Sequence, residues 1–210
     1  MTPPPAPGRS VWPQRLGRWS CRTLVRAPWA WRFLRRPLTG FFDRVAEGWD
    51  VRFASDPERL AALVAALDLL PGAPSRVLDV GTGTGAAALL VAERYPGAQV
   101  TGIDVAPAMI DVALRKATDP RVQFLVGDVT TLDPGDGYDL VVLLNMPPFF
   151  DQVARLLRPG GHVISVSSRG PATPFFVAAS VLRRGFERRG LETVAAATAG
   201  PGTYYLARRP

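Results

Sequence analysis

Five short apolar runs alternate with longer segments of helical length between Arg76 and Ser168. The runs occupy residues 76–80, 99–105, 122–128, 138–144 and 162–168. Because apolar and polar residues do not alternate within them, both faces of each strand are predicted to be buried, which is typical of a parallel sheet with helical crossovers. The connecting helices are predicted near 84–95, 107–117 and 149–157, and a longer helix is predicted after the fifth strand. The pattern indicates an α/β fold with a doubly wound, mostly parallel sheet and helices on both faces.

The C-terminal segment LETVAAATAGPGTYYLARR adds two strand-like stretches joined by Gly-Pro-Gly. A connection this short joins antiparallel neighbours, whereas parallel strands need a long crossover. The sequence therefore predicts a seven-stranded sheet whose last strand is antiparallel to the others.

The segment before the sheet has helical periodicity. Apolar residues recur at helical spacing from Leu38 to Trp49, and Pro37 is placed to begin that helix. A second helix is predicted from Asp56 to Leu70, where Pro-Gly ends it. These two helices predict an N-terminal helical cap on the sheet.

The positive charge of the chain is concentrated before this cap. The net charge is +7, but eight arginines and no acidic residue precede Asp43, so residues 43–210 carry −1. Four tryptophans accompany these arginines within residues 9–36, a mixture that suits nucleic-acid phosphates and a membrane surface equally well. An Arg-rich leader with no binding role is the competing interpretation. We expect three regions, namely a basic, partly disordered arm over 1–36, N-terminal helices over 37–74 and a core over 75–210.

Several classes of protein are disfavoured by composition. The lone Cys21 cannot form an internal disulfide, the single His162 disfavours a histidine-based triad, and no Cys/His cluster has metal-ligand spacing. No apolar run reaches the roughly 18 residues that a spanning helix needs. We expect a metal-free, cytoplasmic protein.

The first strand ends in an acid followed by a glycine-rich loop. Asp79 precedes Gly81, Gly83 and Gly85, with Thr82 between the first two glycines. Glycines there let a ligand lie against the backbone, whose N–H groups open the next helix. The spacing is GxGxG rather than the dinucleotide-binding GxGxxG, and Asp79 would repel a pyrophosphate. The loop therefore favours a ligand with a cationic end.

The second and third strands also end in acids. Asp104 lies 23 residues beyond Gly81, where a carboxylate accepts hydrogen bonds from both hydroxyls of a ribose. Asp128 ends the third strand, where it is placed to accept from the exocyclic amine of adenine while Val105 and Val129 cover the faces of the ring. Taken alone, Asp104 also suits a helix cap and Asp128 a turn. The series of three acids at strand spacing predicts an adenosyl ligand.

The motifs VLDVGTGTG, GIDVAPAMI, FLVGDVTTL and YDLVVLLN…LRPGGHVISV resemble those of class I S-adenosylmethionine-dependent methyltransferases over about residues 38–210. The resemblance implies that the glycine loop holds the methionine part of S-adenosylmethionine, Asp104 the ribose and Asp128 the adenine. FFDRVAEGWD is similar to the helix before the core in small-molecule methyltransferases of the quinone-biosynthesis type. In those proteins an aromatic residue, here Trp49, helps to cover the cofactor, so residues 37–74 are expected to cover the site.

The acceptor is expected beside the end of the fourth strand, in the sequence LLNMPPFF. The candidate residues for cofactor or acceptor contact are Asn145, Met146, Pro147 and Phe149, together with Trp49. The segment is similar to the Asn-Pro-Pro-aromatic motif of amino-methylating enzymes, but Met146 interrupts it, so that grip on an amine does not transfer. A strand stopped by proline, with Phe149 and Phe150 in the core, is the competing interpretation.

These observations predict a methyltransferase that acts on a small-molecule acceptor. Three alternatives remain open. A nucleic-acid methyltransferase would use the basic arm, a non-catalytic S-adenosylmethionine-binding protein would explain the short acceptor segment, and a nicotinamide-dependent oxidoreductase would use a similar sheet. The oxidoreductase is disfavoured by Asp79, by the GxGxG spacing and by the absence of a Tyr-Lys pair, since Lys116 is the only lysine.

Overall fold

The strands form a single seven-stranded sheet in the computed structural model, which describes residues 14–53 and 56–210. The strands are β1 Arg76–Val80, β2 Gln99–Asp104, β3 Val122–Val126, β4 Tyr138–Leu144, β5 Leu157–Ser167, β6 Glu192–Ala199 and β7 Gly202–Arg208. Their order in the sheet is β3-β2-β1-β4-β5-β7-β6. The winding reverses between β1 and β4, so the carboxyl ends of these strands flank the crevice where open α/β sheets bind ligands.

The last strand is the antiparallel one. β1 to β5 pair with one another in parallel, whereas β7 is antiparallel to both β5 and β6. The predicted seven-stranded sheet with an antiparallel last strand is confirmed, because the two-residue turn at Gly200 and Pro201 forces β7 to reverse against β6.

Helices cover both faces of the sheet, and four of them precede β1 in the chain. They are α1 Gln14–Arg26, α2 Trp31–Val45, α3 Trp49–Phe53, α4 Ala61–Leu67, α5 Ala86–Arg94, α6 Pro107–Lys116, α7 Phe150–Leu156 and α8 Ala179–Glu187. One buried cluster packs α4, α5 and α6 against one face, and a second packs α7, α8 and Leu24 of α1 against the other. No helix within the described residues is long and apolar enough to cross a bilayer.

The N-terminal region differs from the prediction. Helix α2 runs through Pro37, which was expected to begin a helix, and it crosses the boundary expected between residues 36 and 37. Pro37 is exposed, so water can satisfy the carbonyl that the missing proline N–H leaves free. Residues 14–36 are largely helical, and residues 1–13 of the expected arm lie outside the described residues. The division of the chain into three regions otherwise stays a prediction.

The helices of residues 37–74 do not all lie beside the strand ends. Helix α4 packs on the sheet face of β5, β6 and β7, because Leu63, Ala66 and Leu67 are fully buried there. That residues 37–74 cover the cofactor site stays a prediction, and within this segment α2 is the helix that lies beside the residues following β2 and β3.

Candidate cofactor site

The loop after β1 brings the backbone close to open space. Gly81, Gly83 and Gly85 all have positive φ, of 67°, 54° and 85°, a conformation that residues with a side chain rarely adopt. A Cβ on Gly81 would collide with Met146 and one on Gly85 with Phe124, whereas one on Gly83 would meet no atom within 4 Å. The glycines at the ends are required by protein packing, and the middle one leaves room for something other than protein.

Asp79 is buried at the end of β1, with 1% of its surface exposed. Its Oδ2 accepts hydrogen bonds from the hydroxyl of Thr82 at 2.6 Å and the N–H of Ala88 at 3.2 Å. Its Oδ1 is buried and has no hydrogen-bond partner within the described residues. Burial raises the pKa of Asp79 to about 6, although the two hydrogen bonds act in the opposite direction. A buried carboxylate with an unpartnered oxygen fits a cationic ligand group.

The raised pKa of Asp79 predicts a pH-dependent stability in the ligand-free protein. Because the folded-state pKa lies above the unfolded value of about 3.9, the contribution of this carboxyl is complete below about pH 4 and is lost as pH rises through about 6. Asp79→Asn keeps the shape and removes the ionisation. We expect the free energy of unfolding of the wild type, relative to Asp79→Asn, to fall by on the order of 2 kcal/mol across this window. Urea unfolding at several pH values measures it, and parallel curves for the two proteins would contradict the assignment.

Asp104 joins the glycine loop to the start of α6. Its Oδ2 accepts from the N–H of Gly83 and its Oδ1 from the N–H of Ala106, each at 2.9 Å. Burial raises the pKa of Asp104, and these N–H donors partly offset the rise. The carboxylate has four lone pairs, more than the backbone N–H donors of Gly83, Val105 and Ala106 occupy, so acceptor capacity remains beside the loop.

A cavity of about 470 Å³ lies between α2 and the carboxyl ends of β2 and β3. It is lined by Arg35, Arg36, Thr39, Gly40, Asp43, Val105, Val126, Gly127 and Asp128. The volume is within the range of about 300–1,000 Å³ that small-molecule sites occupy. Two of the predicted cofactor residues, Val105 and Asp128, therefore share this cavity with residues of α2.

Asp128 is already held by the N-terminal helix. Its Oδ2 accepts from the indole N–H of Trp31 at 2.8 Å and from the guanidinium of Arg35 at 3.2 Å. Its Oδ1 accepts from the N–H and the hydroxyl of Thr130 at 2.9 and 2.7 Å. Partial burial favours a higher pKa, but these hydrogen bonds outweigh it and hold the pKa of Asp128 below its ordinary value. The carboxylate is thus ionised and oriented, with Trp31 and Arg35 beside the position predicted for adenine.

Three acids fix the cap segment to α6 and the glycine loop. Asp43 accepts from the N–H of Ala108 at the start of α6, Glu47 pairs with Arg115, and Asp50 pairs with Lys116 at 2.6 Å. Asp50 also accepts from the hydroxyl of Thr84 in the glycine loop at 2.6 Å. The three acids are spaced at i, i+4 and i+7, so one side of residues 43–50 faces the glycine loop and α6.

Trp49 lies in the aromatic layer of this cap. Its ring meets that of Phe42 edge-on, with centroids 5.7 Å apart, and Phe42 also lies 6.4 Å from Phe175. Trp49 packs with Phe42 against a small buried cluster that includes Ala106 and Met109 of α6. The structure therefore places Trp49 near the end of β2, on the side of the predicted ribose site.

The end of β4 is conformationally unusual. Asn145 and Phe149 have φ of 56° and 39°, the two positive values among the described residues other than glycine. The side chain of Asn145 donates to the hydroxyl of Ser168 at 3.0 Å and accepts from its N–H at 2.8 Å, so it joins the ends of β4 and β5. Backbone strain of this kind is concentrated at functional sites.

The other acceptor candidates differ in exposure. Met146 is partly exposed and lies over Gly81, whereas Pro147 and Phe149 are buried. The ring of Phe149 packs edge-on against Trp31, with centroids 5.2 Å apart. Val129 is buried near these residues in the second core cluster. Met146 is thus the candidate from β4 that directly covers the glycine loop.

The contributions of Trp31, Arg35, Asp43 and Asp50 are not among the predicted site residues. Trp31 and Arg35 fall within the predicted basic arm, although their spacing of four residues places them on one side of a helix. The spacing of the acids at positions 43, 47 and 50 indicates one acidic side of a helical segment, which suits packing against a helix with basic residues.

Parts of the chain are similar in sequence to known methyltransferases. Residues 77–161 match the family described as "Methyltransferase domain". The demethylmenaquinone methyltransferase of Thermus thermophilus is 42% identical over 110 residues, which are 47% of this chain and 50% of that protein. The trans-aconitate 2-methyltransferase of Methylobacterium nodulans is 38% identical over 125 residues, 54% of this chain and 47% of that protein. The chain thus spans about half the length of these curated relatives.

Solved structures show the same fold at lower identity. The putative methyltransferase solved in complex with the Trm112 activator of Haloferax volcanii superposes with a TM-score of 0.68 at 19% identity, covering 80% of this chain and 97% of that one. The N-methyltransferase NodS of Bradyrhizobium japonicum, in complex with S-adenosyl-L-homocysteine, gives 0.63 at 21% identity, covering 76% and 91%. Residues 77–161 therefore match a methyltransferase domain, and these solved structures share the fold of the seven-stranded sheet.

Proposed function

We propose that this chain is an S-adenosylmethionine-dependent methyltransferase that acts on a small-molecule acceptor. The observation that carries the proposal is a set of three carboxylates at successive strand ends: Asp79 near the end of β1 and Asp104 at the end of β2, both bound to the glycine loop, and Asp128 just after β3, beside the cavity. The cationic amino-acid end, the ribose hydroxyls and the adenine of S-adenosylmethionine suit, in this order, the unpartnered oxygen of Asp79, the lone pairs of Asp104 and the cavity beside Asp128.

The chain's own residues would bind and orient the donor. The unpartnered Oδ1 of Asp79 faces the cationic end, the free lone pairs of Asp104 receive the ribose hydroxyls, and Asp128 marks the adenine end beside Val105. Bound S-adenosylmethionine supplies a methyl group on a sulfonium, which an acceptor takes by in-line displacement. Holding two reactants in line lowers a barrier without a covalent intermediate, so positioning is the main contribution of the protein.

The acceptor side is proposed to lie between Met146 and the aromatic layer that includes Trp49. Aromatic ring faces attract a cation by about 0.5–2 kcal/mol, which suits residues near a sulfonium. The curated relatives methylate a demethylated menaquinone and trans-aconitate according to their names. An apolar ring and a small acid are therefore both acceptor classes to test on this chain.

Other activities on the same sheet are the competing interpretations. A structure described as a [4+2]-cyclase, SpnF, superposes with a TM-score of 0.59 at 21% identity, so the fold alone does not fix methyl transfer. A nucleic-acid methyltransferase would use the arginines of α1 and α2. A non-catalytic protein would bind the donor without consuming it, and an oxidoreductase would prefer a nicotinamide.

Calorimetric titration of the full chain with S-adenosylhomocysteine and with NADH distinguishes a protein that binds S-adenosylmethionine from a nicotinamide-dependent oxidoreductase. We expect saturable binding of S-adenosylhomocysteine in about the micromolar range and none of NADH, because Asp79 repels a pyrophosphate. Incubation with methyl-labelled S-adenosylmethionine and a panel of quinols and small carboxylic acids then tests transfer. NADH binding in preference to S-adenosylhomocysteine would overturn the cofactor assignment, and binding without transfer to any acceptor of the panel would count against the enzyme.

A further inference from the structure

The N-terminal helices present exposed aromatic residues among arginines. Leu16 and Trp19 of α1 are 48% and 55% exposed, and Trp29 and Phe33, one helical turn apart, are 64% and 63% exposed. Large apolar residues at this exposure carry a cost in water, so several on two successive helices indicate an interaction surface. We call these four residues and the arginines beside them the basic aromatic surface.

Helix α1 has a buried side and an exposed side. Gly17, Ser20, Cys21 and Leu24 are buried and form the face that packs on the core. Trp19 lies on the opposite side, with Arg15, Arg22 and Arg26 at −4, +3 and +7 around it. These three arginines are exposed and form no ion pair within residues 14–53 and 56–210. The outer face of α1 is therefore an indole surrounded by uncompensated positive charge.

The second part of the surface repeats this chemistry. Trp29 and Phe33 meet edge-on with centroids 6.4 Å apart, and the guanidinium of Arg32 lies 5.6 Å from the ring centre of Trp29 and 4.6 Å from that of Phe33. Arg36, one turn further along α2, is also exposed, and it lies between this surface and the cavity that it lines. No acidic residue precedes Asp43 in the sequence, so only an anionic partner matches this surface in charge.

We propose that the basic aromatic surface docks on the headgroup region of an anionic phospholipid bilayer. Indole and phenyl rings insert at the boundary between headgroups and acyl chains, while arginines remain with the phosphates. Each basic residue near an anionic membrane contributes about 1 kcal/mol. Single-stranded nucleic acid, the other anionic partner, needs free ring faces for base stacking. Arg32 instead lies over one face of Trp29 and one face of Phe33, and exposed Leu16 offers no ring at all, so the bilayer is favoured.

Vesicle flotation of the full chain tests this proposal. We compare vesicles of phosphatidylcholine alone with vesicles of equal parts phosphatidylcholine and phosphatidylglycerol, at about 0.1 M salt. We expect at least about tenfold stronger partitioning to the anionic vesicles, a blue shift of tryptophan emission on binding, and weakening at high salt.

Variants identify the surface. Trp19→Ala/Trp29→Ala/Phe33→Ala is expected to lower partitioning at least about tenfold, because it removes most of the inserted apolar area. Arg15→Gln/Arg22→Gln/Arg26→Gln is expected to reduce the preference for anionic lipid, because three arginines are lost while Arg32 and Arg36 remain. The matched control, Leu114→Ala/Val194→Ala, removes side chains that are 50% and 49% exposed on α6 and β6, and it should partition like the wild type.

The outcome does not depend on methyl transfer, so it can fail or succeed separately from the proposed function. Unchanged far-UV circular dichroism and unfolding midpoint in all variants would show that they fold. Equal partitioning of the wild type and the aromatic triple variant would overturn the proposal. Tighter binding of the wild type to a single-stranded RNA than to anionic vesicles, at the same salt, would overturn the choice of the bilayer.

Discussion

Replacing Gly83 by valine is expected to lower the affinity for S-adenosylhomocysteine at least about a hundredfold, which is about 2.7 kcal/mol. A side chain at Gly83 meets no protein atom within 4 Å, so the volume it would fill is the volume proposed for the methionine part of the ligand. Titration calorimetry measures the affinity, and thermal unfolding without ligand measures the cost to the fold.

Gly135 provides a matched control for this substitution. Its φ of 51° is close to the 54° of Gly83, and a Cβ there also meets no atom within 4 Å. The backbone strain of valine at the two positions is therefore comparable, roughly 1–2 kcal/mol. Gly135 precedes β4, so it lies at the edge of the sheet opposite to the carboxyl ends of the strands. We expect Gly135→Val to destabilise the protein to a similar extent and to bind S-adenosylhomocysteine normally. Equal affinity of the two variants would remove the glycine loop from the binding site.

The second large effect is expected at Asp104. Hydrogen bonds to a charged group contribute about 1.5–3 kcal/mol each, and the ribose is proposed to make two with this carboxylate. Asp104→Asn removes the charge and turns one acceptor into a donor that faces the N–H of Gly83 or Ala106. We expect an affinity about thirtyfold to a hundredfold lower for S-adenosylhomocysteine, measured by the same calorimetry.

Asp111→Asn controls for the loss of one negative charge near the site. Asp111 is exposed on α6, the helix that begins after Asp104. Its substitution should leave the affinity within about twofold of the wild type, since exposed charges are screened by salt. Wild-type affinity in Asp104→Asn would instead exclude Asp104 as the ribose ligand and leave it as a cap of the loop and α6.

The apolar runs predict the strands of the sheet well, because a strand buried on both faces is a continuous apolar run with clear ends. β1 and β4 begin and end where the sequence predicted. β5 begins at Leu157, five residues earlier than expected, because its Arg-Pro-Gly-Gly segment resembles a turn while the backbone around Tyr138 and Leu157 still pairs across an irregular register. The helix predicted after the fifth strand is α8, which begins at Ala179, and the pairing of the strands gives no information on such helix starts.

The candidate site was predictable only where its residues are close along the chain to a strand end. Asp79, Asp104 and Asp128 follow from that rule. Trp31 and Arg35 reach Asp128 across about ninety residues of sequence, and this contact depends on the path of α1 and α2, which propensity does not set. Composition suggests a separate basic arm, whereas two of the arginines of helix α2, Arg35 and Arg36, line the cavity beside Asp128.

The pairing of Asp50 with Lys116 has a practical consequence for observing the cap. Since Lys116 is the only lysine in the chain, reductive methylation with labelled formaldehyde would place a single side-chain NMR reporter at the joint between the N-terminal helices and α6. The chemical shift of that dimethylamine follows its ion pair, so one resonance would record whether the cap is seated or lifted as ligands and vesicles are added.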